Sequence, residues 1–183
     1  MKYAQKFELK CYDAIKAYFT ARAAEVTDPD ITVFRITDVS PQISDLFNQE
    51  MIDRGLSCDI GFLVFKKRLC FVENPEFTHI DGCAVSIVIP LEGYEGTHMY
   101  WCEGDFHLTS KVSSSRVTYA VPIWADSANV KLAHREVIDS PTICRVDIPH
   151  DTVTRTDDIY RVVLTTRFAG DPSFEEVCEK LLK

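Results

Sequence analysis

The sequence predicts a mainly β chain in a single domain: a double-sheet jelly roll backed by helices. Three observations carry that reading. From residue 58 onward, short apolar runs follow one another, separated by Gly, Pro, Asp, Asn and Ser clusters. Before residue 58, apolar residues recur at three- and four-residue steps instead. From residue 58 onward no strand-like run alternates with a long helix, which disfavours a parallel βαβ fold.

The elements are justified in chain order. Phe7, Cys11, Ile15, Tyr18 and Phe19 form one apolar stripe, so the first twenty-odd residues read as a helix that ends at Asp28, Pro29 and Asp30. Residues 31–36 alternate apolar and polar, as a strand does. Ser40 and Pro41 read as an N-cap followed by proline at the first helical position. Ile43, Leu46, Phe47 and Met51 give that helix its buried face, and Gly55 stops it. Strands are then expected over 58–65, 69–72, 83–90, 97–101, 116–124, 130–137, 142–148 and 160–168. In the last of these, odd positions can face a cavity while Val162, Leu164 and Phe168 pack on a helix layer. Ser173 and Glu176 make a capping-box pattern that opens a C-terminal helix through Leu182. The expected organisation is a helical support over 1–57, a jelly-roll core over 58–170 and a closing helix over 171–183.

Composition narrows the function classes. The chain has 183 residues, of which 46 % are hydrophobic and 26 % charged. That is ordinary globular usage and enough to bury a core. No apolar run can span a bilayer, and the N-terminus is too charged for a signal peptide. The net charge of -8 disfavours non-specific binding to nucleic acid or membranes. The seven cysteines are Cys11, Cys58, Cys70, Cys83, Cys102, Cys144 and Cys178, with no CxxC pair. A zinc ribbon or redox dithiol is unsupported, a reduced cytoplasmic compartment is the default, and most of the cysteines read as small core residues.

One constellation carries chemistry. Thr78-His79-Ile80-Asp81-Gly82 holds an HxD pair just before the apolar strand at 83–90. On extended backbone, residues i and i+2 point the same way, so His79 and Asp81 can reach one metal ion together. His150, at the end of the 142–148 run, can close a third corner. Two imidazoles and one carboxylate on one face is the arrangement of non-haem Fe(II) oxygenases. Arg161 follows eleven residues after His150 and is expected one hairpin away, its fork pointing inward. A buried guanidinium grips a carboxylate through two hydrogen bonds.

With that order of residues, HxD, distal His, then Arg, the sequence resembles the Fe(II)/2-oxoglutarate-dependent dioxygenases. The resemblance covers roughly residues 58–170 and implies a double-stranded β-helix. The stretch Val85-Ser86-Ile87-Val88-Ile89-Pro90-Leu91-Glu92-Gly93 is similar to the strand after the metal turn in aspartyl/asparaginyl hydroxylase-like members. Pro149-His150-Asp151-Thr152-Val153 and Arg161-Val162-Val163-Leu164-Thr165-Thr166-Arg167-Phe168 are similar to small stand-alone members from bacteria and phages. By resemblance, His79, Asp81 and His150 are the iron ligands, and Arg161 binds the far carboxylate of the co-substrate 2-oxoglutarate. Plant and β-lactam-forming members place a serine two residues after the arginine, where this chain has Val163. A second donor to that carboxylate is then expected from Ser86, Thr97 or Tyr100. The implied activity is hydroxylation of a C–H bond, with O2, in a small polar metabolite, an amino acid or a peptide side chain.

The remaining candidates have blander readings. His98 could line a cavity mouth, although lone histidines usually satisfy local hydrogen bonds. His107 has no partner at ligand spacing, and His134 lies in a charged run and reads as solvated. Arg167 shares the parity of Arg161 and is either a rival carboxylate binder or half of a rim ion pair. Arg145 and Asp147 read as an outward cross-strand pair, and Trp101 and Trp124 as core. Two other functions fit the same scaffold: a metal cupin-like enzyme that does not use 2-oxoglutarate, with Arg161 as the discriminating residue, and a non-catalytic jelly-roll module.

Overall fold

The computed structural model describes residues 2–26, 33–36, 38–58, 62–68, 73–112, 118–154 and 160–183. The expected strand at 69–72 with Cys70 and the helix stop at 28–30 lie outside those residues. The described chain is mainly β, with antiparallel sheets and three α-helices.

The N-terminal end differs from expectation. Ala4–Lys6 is a strand, β1, and the first helix, α1, runs only over Tyr12–Glu25. β1 pairs with a strand at 142–145, about 140 residues on, and that distant pairing overrides the local helical spacing. Ile15, Phe19 and Ala23 are the buried stripe of α1. Next come β2 (Val33–Ile36) and α2 (Pro41–Asp53). α2 starts at Ser40 and Pro41 as read, and Gly55 follows it at φ +69°, a left-handed conformation that glycine adopts without strain. Phe47 and Met51 are fully buried, but Leu46 is half exposed. The first 57 residues thus supply strands as well as helices.

The strands continue as β3 (Phe62–Arg68), β4 (Val85–Glu92), β5 (Thr97–Glu103), β6 (Phe106–Val112), β7 (Thr118–Trp124) and β8 (Lys131–Glu136). They close with β9 (Thr142–Arg145), β10 (His150–Thr154) and β11 (Tyr160–Arg167), followed by α3 (Phe174–Leu181). Six strands form one antiparallel sheet in the order β1-β9-β4-β11-β3-β2. A second sheet has the order β10-β5-β8, and β6 and β7 make a separate hairpin.

The core lies in two layers. Ile15, Phe19, Phe47, Met51, Phe174, Val177 and Leu181 from the helices meet Val85, Ile87, Ile89, Leu91, Ile143, Val162 and Leu164 on one face of the large sheet. Each such side chain contributes about 1.5–3 kcal/mol by leaving water. On the other face, Val88, Cys144 and Val163 pack against Met99 and Trp101 of the second sheet. Both faces of β4 are covered, which is why its sequence is apolar at nearly every position rather than alternating. Trp101 Nε1 donates to the carbonyl of Arg145 at 2.8 Å and ties the two sheets together.

Two strands escape the sequence reading. The run at 142–148 is not one strand. The chain leaves the large sheet at Arg145, turns at Asp147 and Ile148, and enters the second sheet at His150. Arg145 and Asp147 accordingly pair with each other along the chain, at 2.9 and 3.1 Å, rather than across strands. β6 alternates weakly because both of its faces are largely exposed.

Candidate metal centre

The HxD segment is built like a one-residue-wide strand. His79 N donates to the carbonyl of His150 at 2.9 Å, and His150 N donates back to His79 at 3.0 Å. On its other edge, Ile80 N donates to Ala120 of β7 at 2.9 Å. Alternating N–H groups of extended backbone point to opposite edges, so this short segment joins the second sheet to the β6–β7 hairpin. Asp81 N then donates to Val146, just past the end of β9, at 2.9 Å. The turn between Gly82 and β4 is held by Asp171, whose carboxylate accepts from Ala84 N at 2.7 Å.

These bonds bring His79, Asp81 and His150 together. One ligand atom from each lies within 4.8 Å of the other two. The two imidazole rings are 4.5 Å apart between centroids, and His79 Nε2 is 3.8 Å from Asp81 Oδ1. His150 is buried, while His79 and Asp81 are half-buried. His150 Nδ1 sits 2.8 Å from the carbonyl of Ile148, an acceptor, so Nδ1 carries the proton and Nε2 keeps its lone pair. Burial, with the neighbouring His79 adding to it, pulls the His150 pKa down to about 4. The ring is therefore neutral at pH 7 and able to ligate. Two nitrogens and one carboxylate oxygen on one side suit a first-row divalent metal and leave its other side open.

Arg161 lies beside this centre. It projects from the large sheet toward the second one, where its Nη1 donates to Thr152 Oγ1 at 3.3 Å. Thr152 is two residues beyond His150 on β10, so both side chains share a face. Arg161 is thus not one hairpin from His150 as expected, because β10 and β11 belong to different sheets. Burial pulls its pKa down to about 10, with Cys144 and Asp151 acting the other way, and it remains charged at pH 7. Among the described residues it holds no carboxylate. A guanidinium has five donors, and the described residues show one of them engaged, in a long hydrogen bond.

No family model matches the chain. No curated protein matches it either. Among solved structures it is similar to a Pseudomonas putida prolyl-4-hydroxylase, at 17 % identity over 90 % of each chain, with a TM-score of 0.44.

The three hydroxyls expected to assist Arg161 are engaged elsewhere. Ser86 Oγ donates to Thr166 at 3.0 Å, Thr97 Oγ1 to Tyr94 at 2.7 Å and Tyr100 OH to Asn74 at 3.0 Å. Tyr100 also packs with Cys102 and Val153 on the opposite face of the second sheet from Trp101. Thr152 is the hydroxyl that sequence reasoning missed. Its one legible signal is the two-residue step from His150. Tyr119 was missed as well: from β7 it stands edge-on to His79, at 6.1 Å between centroids.

The other candidates are resolved plainly. His98 pairs with Glu73 at 2.6 Å, and Arg135 grips the same carboxylate, so His98 does not belong to the metal group. His134 is not simply solvated: it stacks on Tyr3 at 5.5 Å and meets Glu136 at 3.4 Å. His107 is exposed on β6. Trp101 is fully buried core, while Trp124 is half-buried and donates to the carbonyl of Pro75. No helix among the described residues is long and apolar enough to cross a membrane.

Proposed function

We propose that this chain is a non-haem Fe(II)- and 2-oxoglutarate-dependent oxygenase built on a double-stranded β-helix, hydroxylating a C–H bond of a small polar metabolite, an amino acid or a peptide side chain. The observation that supports it best is a juxtaposition: a three-donor, half-open metal face, and two residues along the same strand a threonine that meets a buried guanidinium with no carboxylate in ion-pair distance among the described residues. Two facing antiparallel layers with helices behind the larger one fit that fold.

In this reading His79, Asp81 and His150 would hold the iron, and Arg161 would grip the far carboxylate of 2-oxoglutarate. Bound iron and 2-oxoglutarate would supply an O2-dependent oxidation that releases succinate and CO2. The chain's own share is geometry. The Ile148 carbonyl keeps the proton on His150 Nδ1 and so aims Nε2 at the metal. Thr152 orients the guanidinium. The layer of Met99, Trp101, Val88 and Val163 keeps water from the space between the sheets. With Asp81 present, no carboxylate position would be vacated for a halide on the iron, so hydroxylation is preferred over halogenation.

The test is an anaerobic titration of the protein with Fe(II) and then 2-oxoglutarate, watching for the weak visible charge-transfer band of the chelate. Arg161→Ala should keep the iron and lose 2-oxoglutarate by about 2–5 kcal/mol, thirty-fold or more in affinity. Arg161→Lys should recover only part of that, because it keeps the charge and loses the planar grip. A cupin-like metal enzyme that ignores 2-oxoglutarate would show no band and no effect of either change.

A further inference from the structure

We propose that Arg167 anchors the substrate to be oxidised, and that this substrate carries a free carboxylate. The inference rests on the reading of the centre given above.

It starts from how this acidic chain uses its arginines. Of those whose side chains are described, Arg22, Arg54, Arg135 and Arg145 each hold a carboxylate within ion-pair distance. Among the described residues, Arg161 and Arg167 hold none. Both stand on β11, six positions apart and on the same face of the large sheet. In a chain with eight more acidic than basic residues, an unpaired half-buried arginine is the exception. Withdrawing a guanidinium from water without a counter-charge is unfavourable, and a bound anion removes that cost.

Position assigns the two arginines different anions. Arg161 reaches Thr152, two residues after the ligand His150. Arg167 stands six positions further along the same face of β11, and its Nη1 lies 3.8 Å from where a β-carbon on Gly82 would stand, with Gly82 directly following the ligand Asp81. The contacts therefore run from Arg161 through Thr152 to His150, His79 and Asp81, then through Gly82 to Arg167. Along the chain, Arg161 meets the set through Thr152, near His150, and Arg167 meets it through Gly82, next to Asp81. Six strand residues span about 20 Å, so a co-substrate held at Arg161 leaves Arg167 for a second molecule. Tyr119 stands edge-on to His79, and Lys111 lies opposite Tyr119 in the hairpin register. Lys111 is exposed and has no carboxylate partner among the described residues. A planar two-bond fork selects a carboxylate over a neutral amide of the same shape.

The experiment uses the full chain, 15N-labelled, with Zn(II) as a diamagnetic stand-in and 2-oxoglutarate added first. The probes are N-acetyl-L-alanine and its primary amide, which match in size and differ in charge. The readout is the Nε–Hε signals of the two arginines, assigned by their loss in Arg161→Lys and Arg167→Lys. The expected result is that 2-oxoglutarate moves the Arg161 signal, the acid probe then moves the Arg167 signal, and the amide moves neither. Arg167→Lys should bind the acid about tenfold more weakly, since a point charge replaces the fork. The proposal is overturned if the acid leaves Arg167 unmoved at about 10 mM, the weak end of specific recognition. It is equally overturned if the amide moves Arg167 as far as the acid does, or if 2-oxoglutarate itself moves Arg167. A protein in which 2-oxoglutarate leaves Arg161 unmoved while the acid shifts Arg167 would sink the co-substrate reading and leave this one standing.

Discussion

His150 combines three properties that one side chain seldom has together: it is buried, its Nδ1 proton is committed to the Ile148 carbonyl, and its free nitrogen faces a second imidazole and a carboxylate. In the proposed centre each of the three residues would supply one third of the protein's hold on a metal. His150→Ala should therefore lose Co(II) or Mn(II) almost completely in equilibrium dialysis, and unchanged metal content would remove His150 from the site. The same burial makes a pH prediction for the metal-free protein. An unfolded histidine titrates near its ordinary value of 6.5, whereas folded His150 titrates at about 4. Between those values the unfolded chain binds more protons than the folded one, so stability falls as pH drops from about 6.5 to about 4. Urea midpoints at pH 7 and pH 4.5 should differ more for the native sequence than for His150→Gln, which has no proton to take up.

The helices hold together by reaching across to each other's ends. Glu50, buried near the end of α2, accepts from Lys10 N at 2.9 Å and Cys11 N at 3.1 Å, so it caps the start of α1 from a neighbouring helix. Arg54, one turn later, pairs with Glu50 at 2.9 Å and donates to the carbonyl of Leu181, the last residue of α3, at 2.7 Å. Removing Glu50 leaves two helix-end donors and a guanidinium without their acceptor. Glu50→Ala should cost about 2–4 kcal/mol in chemical denaturation. Glu50→Gln, which keeps one acceptor oxygen, should cost roughly half of that. These helices back the face of the large sheet away from the metal group, so the folded fraction of either variant should bind metal as the native protein does.

Across the whole molecule, the metal group sits where three pieces meet: the second sheet through His150, the hairpin through Ile80, and the end of β9 through Asp81. An ion there would clamp parts of the chain that are about 70 residues apart, and a ligand bound only by the folded state stabilises it by mass action. Ni(II) or Co(II) at about a hundred times its dissociation constant should stabilise the protein by about 2.7 kcal/mol, which raises Tm by several degrees. The shift should vanish in Asp81→Ala. An equal shift in that variant would mean the ion binds elsewhere, at the Glu73 and His98 pair for instance.

What the sequence determined by itself is what a few neighbouring residues encode. The start of α2 at Ser40 and Pro41, its stop at Gly55 and the start of α3, where Ser173 Oγ accepts from Glu176 N at 3.2 Å, are local bonds and local sterics. The parity of β11 is equally local, and Val162, Leu164 and Phe168 do face the helices. The HxD step and the order His79, Asp81, His150, Arg161 were legible because residue type and strand period need no partner. Only the tertiary structure decided the rest. Whether residues 4–6 are helix or strand depended on β9, and where the 142–148 run breaks depended on the second sheet claiming His150. Which hydroxyl meets Arg161 depended on two strands in different sheets facing each other, so Thr152 could not be chosen over Ser86, Thr97 or Tyr100 from spacing alone. Strand pairing and sheet facing are contacts between residues far apart in the chain, and their energy depends on both partners, which a local pattern does not contain.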